Sequence, residues 1–169
     1  DALSSYGDRE KKLEILKDPH CGAFAVIRLC TYFLAYFCVA FCIRFSPRVG
    51  LCWTLALVLE RGLSGLAVAA FPMAKNTGLA HTFATAADRE SVQKILIVLS
   101  VLLAAALIAL GGGALVAAAL LVLWRYHHVA VKEFGGITGD LAGCFLQKAE
   151  FWMLAALAAL IALSAYFSA

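Results

Sequence analysis

Residues 95–123 run for 29 positions without one charged side chain. As a single straight helix they would measure about 43 Å, too long for a hydrocarbon core of about 30 Å without strong tilt. Gly111, Gly112 and Gly113 interrupt the run. The pattern therefore predicts a hairpin, with one span over 95–110, a glycine turn, and a second span over 114–126. Three more apolar runs are long enough to cross a bilayer, which takes about 20 residues. Residues 21–43 are broken only by Arg28, near enough to the start to snorkel to the headgroups. Residues 49–71 carry Glu60 and Arg61 near their middle, and residues 151–167 have Trp152 and Tyr166 near their ends. The expectation is an all-α, polytopic membrane protein of about five transmembrane helices forming a single membrane domain. Residues 1–20 precede it as an amphipathic, charged segment whose helix starts at Asp8 and stops at Pro19.

Composition agrees with this reading. The chain is 63% hydrophobic, with a mean hydropathy of +0.89, against roughly 45–50% apolar residues in soluble domains. The net charge of +3 forms no basic stripe, which argues against nucleic acid as a partner. Ten of the fourteen Lys and Arg lie in residues 1–20, 72–94 and 125–150. The positive-inside rule puts these three segments together on the cytoplasmic side, with Arg44 and Arg48 opposite. Of the six cysteines, Cys38 and Cys42 stand one helical turn apart. They lack a His partner at zinc-ligand spacing and read as small buried residues. Trp124, Tyr126, His127 and His128 read as an aromatic belt at the interface.

One polar stretch, Gly135-Gly136-Ile137-Thr138-Gly139-Asp140, lies between apolar runs. Its glycines permit sharp turns and close approach to a ligand. Asp140 offers hard oxygens suited to Mg²⁺ or to proton transfer. In a helix, Asp140, Gly143, Gln147 and Glu150 fall on one face. The plain alternative is an interfacial loop in which Asp140 caps the following helix. For Glu60 and Arg61 the choice is between interior charges with structural partners and a functional cavity.

The string GGITGDLAG followed by Glu150 resembles the C-terminal signature of the cobalamin synthases, close to GGxTGDxxGAxxExxE, with Cys144 for the usual Ala and Gln147 for the first Glu. The opening DALSSYGDREKKLEILKDPHCGAF resembles the same family's DG-x(n)-RDRxLEIMKDSRxGxxG. There Asp1 matches the last Asp of an aspartate-rich DGxADxxDG motif, Ala2 replaces Gly, and Pro19 and His20 replace Ser-Arg. Since the chain opens inside that motif, it reads as the C-terminal part of a longer one. The loop FPMAKNTGLA and Arg61 are weaker matches.

The resemblance implies adenosylcobinamide-GDP ribazoletransferases, integral membrane enzymes of vitamin B12 assembly. In their reaction the 5′-hydroxyl of α-ribazole, or of its phosphate, attacks the phosphate attached to cobinamide. GMP leaves, and adenosylcobalamin or its phosphate forms. The implied cofactor is Mg²⁺. Asp1 and Asp18 would be metal ligands and Asp140 a ligand or base. Thr138, Gly135, Gly136 and Gly139 would shape a phosphate contact, with Lys17, Arg61 and Lys75 adding positive charge. The implied surroundings are a lipid bilayer and, as candidate partners, other corrinoid-assembly enzymes. The rival expectations are a CDP-alcohol phosphotransferase acting on lipid and a non-enzymatic transporter or scaffold using Glu60 and Arg61.

Overall fold

The computed structural model describes residues 1–74 and 88–167. After a 3₁₀ turn at Ala2–Ser4 come α1 (Arg9–Ile15), α2 (Ala23–Phe41), α3 (Pro47–Ala70), α4 (Arg89–Ala109), α5 (Gly113–Val129) and α6 (Gly139–Phe167). Five of these helices, α2 to α6, are long and apolar enough to cross a membrane. No strand occurs among the described residues, as a chain that must satisfy its backbone inside lipid requires of an open fold.

Local chemistry sets most helix ends. The Asp8 side chain accepts from the Lys11 amide at 2.9 Å and caps α1. Ser46 accepts from Val49 at 3.3 Å and Pro47 occupies the first turn of α3, the preferred use of both residues. The hairpin between α4 and α5 turns at Gly111, whose φ of +86° suits glycine. Arg48 reaches across from α3 and donates through Nη2 to the Leu110 carbonyl at 2.7 Å, satisfying an acceptor left free at the end of α4.

Three of the membrane helices extend past their apolar runs. The third membrane helix begins at Arg89, ahead of its apolar run at 95, and the fifth at Gly139, within the glycine-rich stretch and ahead of its run at 151. Helix α5 passes beyond 126 and ends in a π turn over Ala130–Phe134. Reading spans from hydropathy stops them at the first charged residue, but helical hydrogen bonds continue into water and long side chains snorkel.

The core lies between α3, α5 and α6. Small residues sit at the closest approaches, with Ala56, Ala67, Ala119, Ala130 and Ala149 essentially inaccessible, the usual device for packing helices in lipid. Leu107 of α4, Leu115 of α5, and Phe145 and Met153 of α6 fill the gaps between them. Helix α2 is peripheral: it packs mainly on α6 and buries none of its residues. Cys30, Cys38 and Cys42 are consequently exposed on its outer faces, and Cys52 is the cysteine that is buried. Tyr126 leaves the expected belt, too: it is buried and stacks on Phe145 with ring centroids 5.2 Å apart.

Candidate functional site

The glycine-rich stretch begins where the π turn ends. Gly135 takes a left-handed conformation, φ +78°, and Gly136 follows at φ +157°. Here the backbone pairs with residues 72–74: the Ile137 amide donates to the Pro72 carbonyl at 2.8 Å, and the Ala74 amide to the Ile137 carbonyl at 3.0 Å. A Cβ on Gly136 would stand 2.5 Å from the Met73 carbonyl carbon and the Pro72 oxygen. One on Gly135 would stand 2.8 Å from Arg9 Nη1. These two glycines are thus taken up by seating the loop on its neighbours. Gly139 and Gly143 differ, since a Cβ on either would meet nothing within 4 Å.

Thr138, not Asp140, caps α6. Its Oγ1 accepts from the Leu141 amide at 3.3 Å, and its carbonyl accepts the first helical bond, from Ala142 at 3.0 Å. Asp140 is left exposed in the first turn, its carboxylate not required by the cap. It lines a cavity of about 360 Å³ between α2, α6 and the N-terminal segment, with Asp1, Arg28, Tyr32, Gln147 and Lys148 also in the wall.

Asp1 reaches this cavity from the other end of the chain. Its Oδ2 accepts from the Gly22 amide at 2.7 Å and its Oδ1 from Ala25 at 3.1 Å, so it also holds the start of α2. Gly22 permits the approach, because a Cβ there would come within 2.6 Å of the Asp1 carboxylate. Helix α1 is tied to the π turn by an ion pair between Lys12 and Glu133.

The structure does not bring the other expected site residues to this cavity. Asp18 is exposed, and its Oδ1 accepts from the His20 amide at 2.9 Å and lies 2.7 Å from the His20 ring Nδ1. The His20 backbone N–H, then its ring, hold the Asp18 carboxyl below the ordinary carboxylate range. Lys17 beside it is exposed as well. Lys75 lies outside the described residues. Arg61 lines neither this cavity nor the one adjoining it along α6. Its Nε stands 3.6 Å from Oε1 of fully buried Glu60, whose two oxygens find no hydrogen-bond partner among the described residues.

Arg61 and Glu60 therefore read as a structural pair. Removing the Arg61 charge leaves the buried Glu60 carboxyl without the cation beside it, while removing both charges is often neutral. Arg61→Leu is expected to lower the melting temperature in detergent, and Glu60→Gln added to it to recover most of the loss. If Arg61 served a phosphate instead, the double variant would be stable yet lose turnover.

No group of three or more His, Cys, Asp or Glu with metal-site geometry occurs among the described residues. What the cavity does hold is two carboxylates and the Gln147 amide. That set fits Mg²⁺, which binds through one or two carboxylates and completes its shell with water and substrate phosphates. Sequence reading missed Arg28 and Lys148 as cations facing this cavity, and Tyr36, whose hydroxyl donates to Glu150 at 2.8 Å. The one available signal was that Lys148 is next to Gln147 on the face shared with Asp140.

Both ends of the resemblance thus meet at one cavity, and comparison with known proteins agrees with it. The sequence profile of the family described as cobalamin-5-phosphate synthase matches residues 1–158. The chain belongs to the cobalamin-5-phosphate synthase family. Among its relatives, an adenosylcobinamide-GDP ribazoletransferase of Lachnoclostridium phytofermentans is 42% identical over 165 residues, covering 96% of this chain and 62% of the relative. One from Alkalilimnicola ehrlichii is 37% identical, covering 96% and 63%, and one from Geobacillus sp. is 32% identical, covering 90% and 60%. The chain thus spans less than two thirds of the length of these curated relatives. No solved structure matches it.

Proposed function

We propose that this chain forms part of a Mg²⁺-dependent adenosylcobinamide-GDP ribazoletransferase. In that reaction the 5′-hydroxyl of α-ribazole or its phosphate forms a new bond to the cobinamide phosphate, and the bond to GMP breaks. The observation that carries the reading is the convergence of Asp1 and Asp140, from motifs at opposite ends of the chain, on one cavity. Asp1, Asp140 and Gln147 would hold the metal, which when bound screens the diphosphate and polarises the phosphorus. Asp140 is the exposed carboxylate that takes the proton from the attacking hydroxyl, directly or through water. Arg28 and Lys148 supply positive charge along the same wall. The test is direct: the purified protein, expressed in its natural sequence context, is given adenosylcobinamide-GDP and α-ribazole with Mg²⁺. Release of GMP together with a cobalamin product is expected, and neither product appearing would overturn the reading.

The proposed setting is the cytoplasmic membrane, with this cavity facing the cytoplasm. Single cysteines in a cysteine-free background check it. Lys17→Cys and Ser91→Cys are expected to label from the cytoplasmic side and Arg44→Cys from the other. Labelling of all three from one side would defeat the five-span orientation.

A further inference from the structure

A second cavity, about 380 Å³, adjoins the first along the same face of α6, sharing Leu141, Cys144 and Lys148 with it, and its wall also includes Arg28, Arg125, Tyr126 and Trp152. Three helices each contribute one cation to it: Arg28 from near the start of α2, Arg125 from near the end of α5, and Lys148 from the third turn of α6. Among the described residues, none of the three makes a hydrogen bond or an ion pair. Arg28 and Lys148 also line the first cavity, where Asp1 and Asp140 are the acidic groups, yet neither carboxylate forms an ion pair with them. Three like charges lining one cavity repel one another, a cost that a shared anion removes. Guanidinium groups are matched in shape and charge to phosphate oxygens, and an ammonium completes the grip as a point charge. The Trp152 and Tyr126 rings give the cavity an apolar body around that polar mouth.

We propose that this second cavity is a phosphate-binding site, held by Arg28, Arg125 and Lys148. The phosphate comes from one of two sources: the nucleotide diphosphate of the substrate, reaching in from the adjoining first cavity, or the headgroup of an anionic phospholipid. The site itself does not depend on the reaction proposed above; only its nucleotide source rests on that reading.

Arg125 is the diagnostic residue, because it lines the second cavity and not the first. Two probes separate the sources. GDP binding is measured by calorimetry on the protein in detergent, and retention of phosphatidylglycerol by native mass spectrometry after extraction from nanodiscs of phosphatidylglycerol and phosphatidylcholine. Arg125→Gln is expected to weaken one of these by about tenfold or more, the scale of a lost charge-assisted hydrogen bond. Arg125→Lys, which keeps the charge, is expected to lose less. Weaker GDP binding identifies the nucleotide; unchanged GDP binding with lost lipid identifies the headgroup. If the wild-type protein binds neither probe, or if neither Arg125→Gln nor Lys148→Gln alters either at an unchanged melting temperature, the site does not exist. A variant that fails to fold is replaced by Arg125→Met under the same readings. Turnover of adenosylcobinamide-GDP by the wild-type protein tests the reaction separately from all of these outcomes.

Discussion

Asp140→Asn is expected to slow GMP release by roughly 10²-fold or more, the scale of a lost acid–base group, while expression stays normal and the melting temperature falls only slightly. The substitution keeps the shape of the side chain and removes its charge and proton affinity. The position of Asp140 makes the test sharp. Thr138 Oγ1 already caps the helix by accepting from Leu141, so α6 does not lean on Asp140 for its start. What the helix loses is the attraction between a carboxylate and its N-terminal end, about 0.3–1 kcal/mol at an exposed site. Thr138→Val is the matching control. It removes the cap, costs about 1 kcal/mol of stability, and leaves the charge in the cavity untouched. Measured across a Mg²⁺ titration, the two variants should separate, one losing turnover and the other losing stability. A rate near wild type for Asp140→Asn at every Mg²⁺ concentration would remove Asp140 from the centre, leaving Asp1 and Gln147 as its oxygen donors in that cavity.

What the sequence made legible divides along a physical line. Spans were readable because bilayer thickness forces long apolar runs, and the turn at Gly111 was readable because an uncharged run of 29 residues cannot stay straight. The chemistry of Asp1 and Asp140 was readable from residue type and from the family's motifs. Their meeting at one cavity was not, because it depends on α2 being held by Asp1 and packed on α6. The choice between Thr138 and Asp140 as cap was equally hidden: both residue types cap well, and only the register of the first helical bond decides. Arg28 shows the same limit from the other side. In sequence it is an interruption near the start of a span; in the fold it stands between two cavities with Lys148 and, in the second, Arg125. The aspartates were expected on one side of the membrane, but a side is a weaker statement than a site. Asp18 is turned to solvent with His20 on its carboxylate.

The glycines carry the second large effect, and they differ in kind although the motif spells them alike. Gly136→Ala is expected to destabilise the protein by several kcal/mol and to abolish most turnover. Two costs combine. A φ of +157° is one that side-chain-bearing residues rarely adopt, at about 1–3 kcal/mol. The new Cβ also falls 2.5 Å from Pro72 O and 2.6 Å from the Ala74 amide. Both contacts are to backbone, which cannot swing aside, and overpacking of this kind adds about 1–3 kcal/mol. Relief requires opening the pairing between Ile137 and residues 72–74, which shifts Thr138 and the start of α6 with it. Asp140 then moves, and a displacement of about 1 Å at a reacting group can cost 10²-fold in rate. Gly139→Ala is the counterpart. Its Cβ meets nothing within 4 Å, and a helix gains by exchanging glycine for alanine, by up to about 1 kcal/mol. That variant should melt at or above the wild-type temperature, and any loss of turnover should appear as a raised KM from ligand crowding. Thermal melting and turnover of the pair decide the matter. A Gly136→Ala protein that melts normally but binds substrate poorly would mean that Gly136 faces the phosphate, as the motif first suggested, rather than the backbone of residues 72–74.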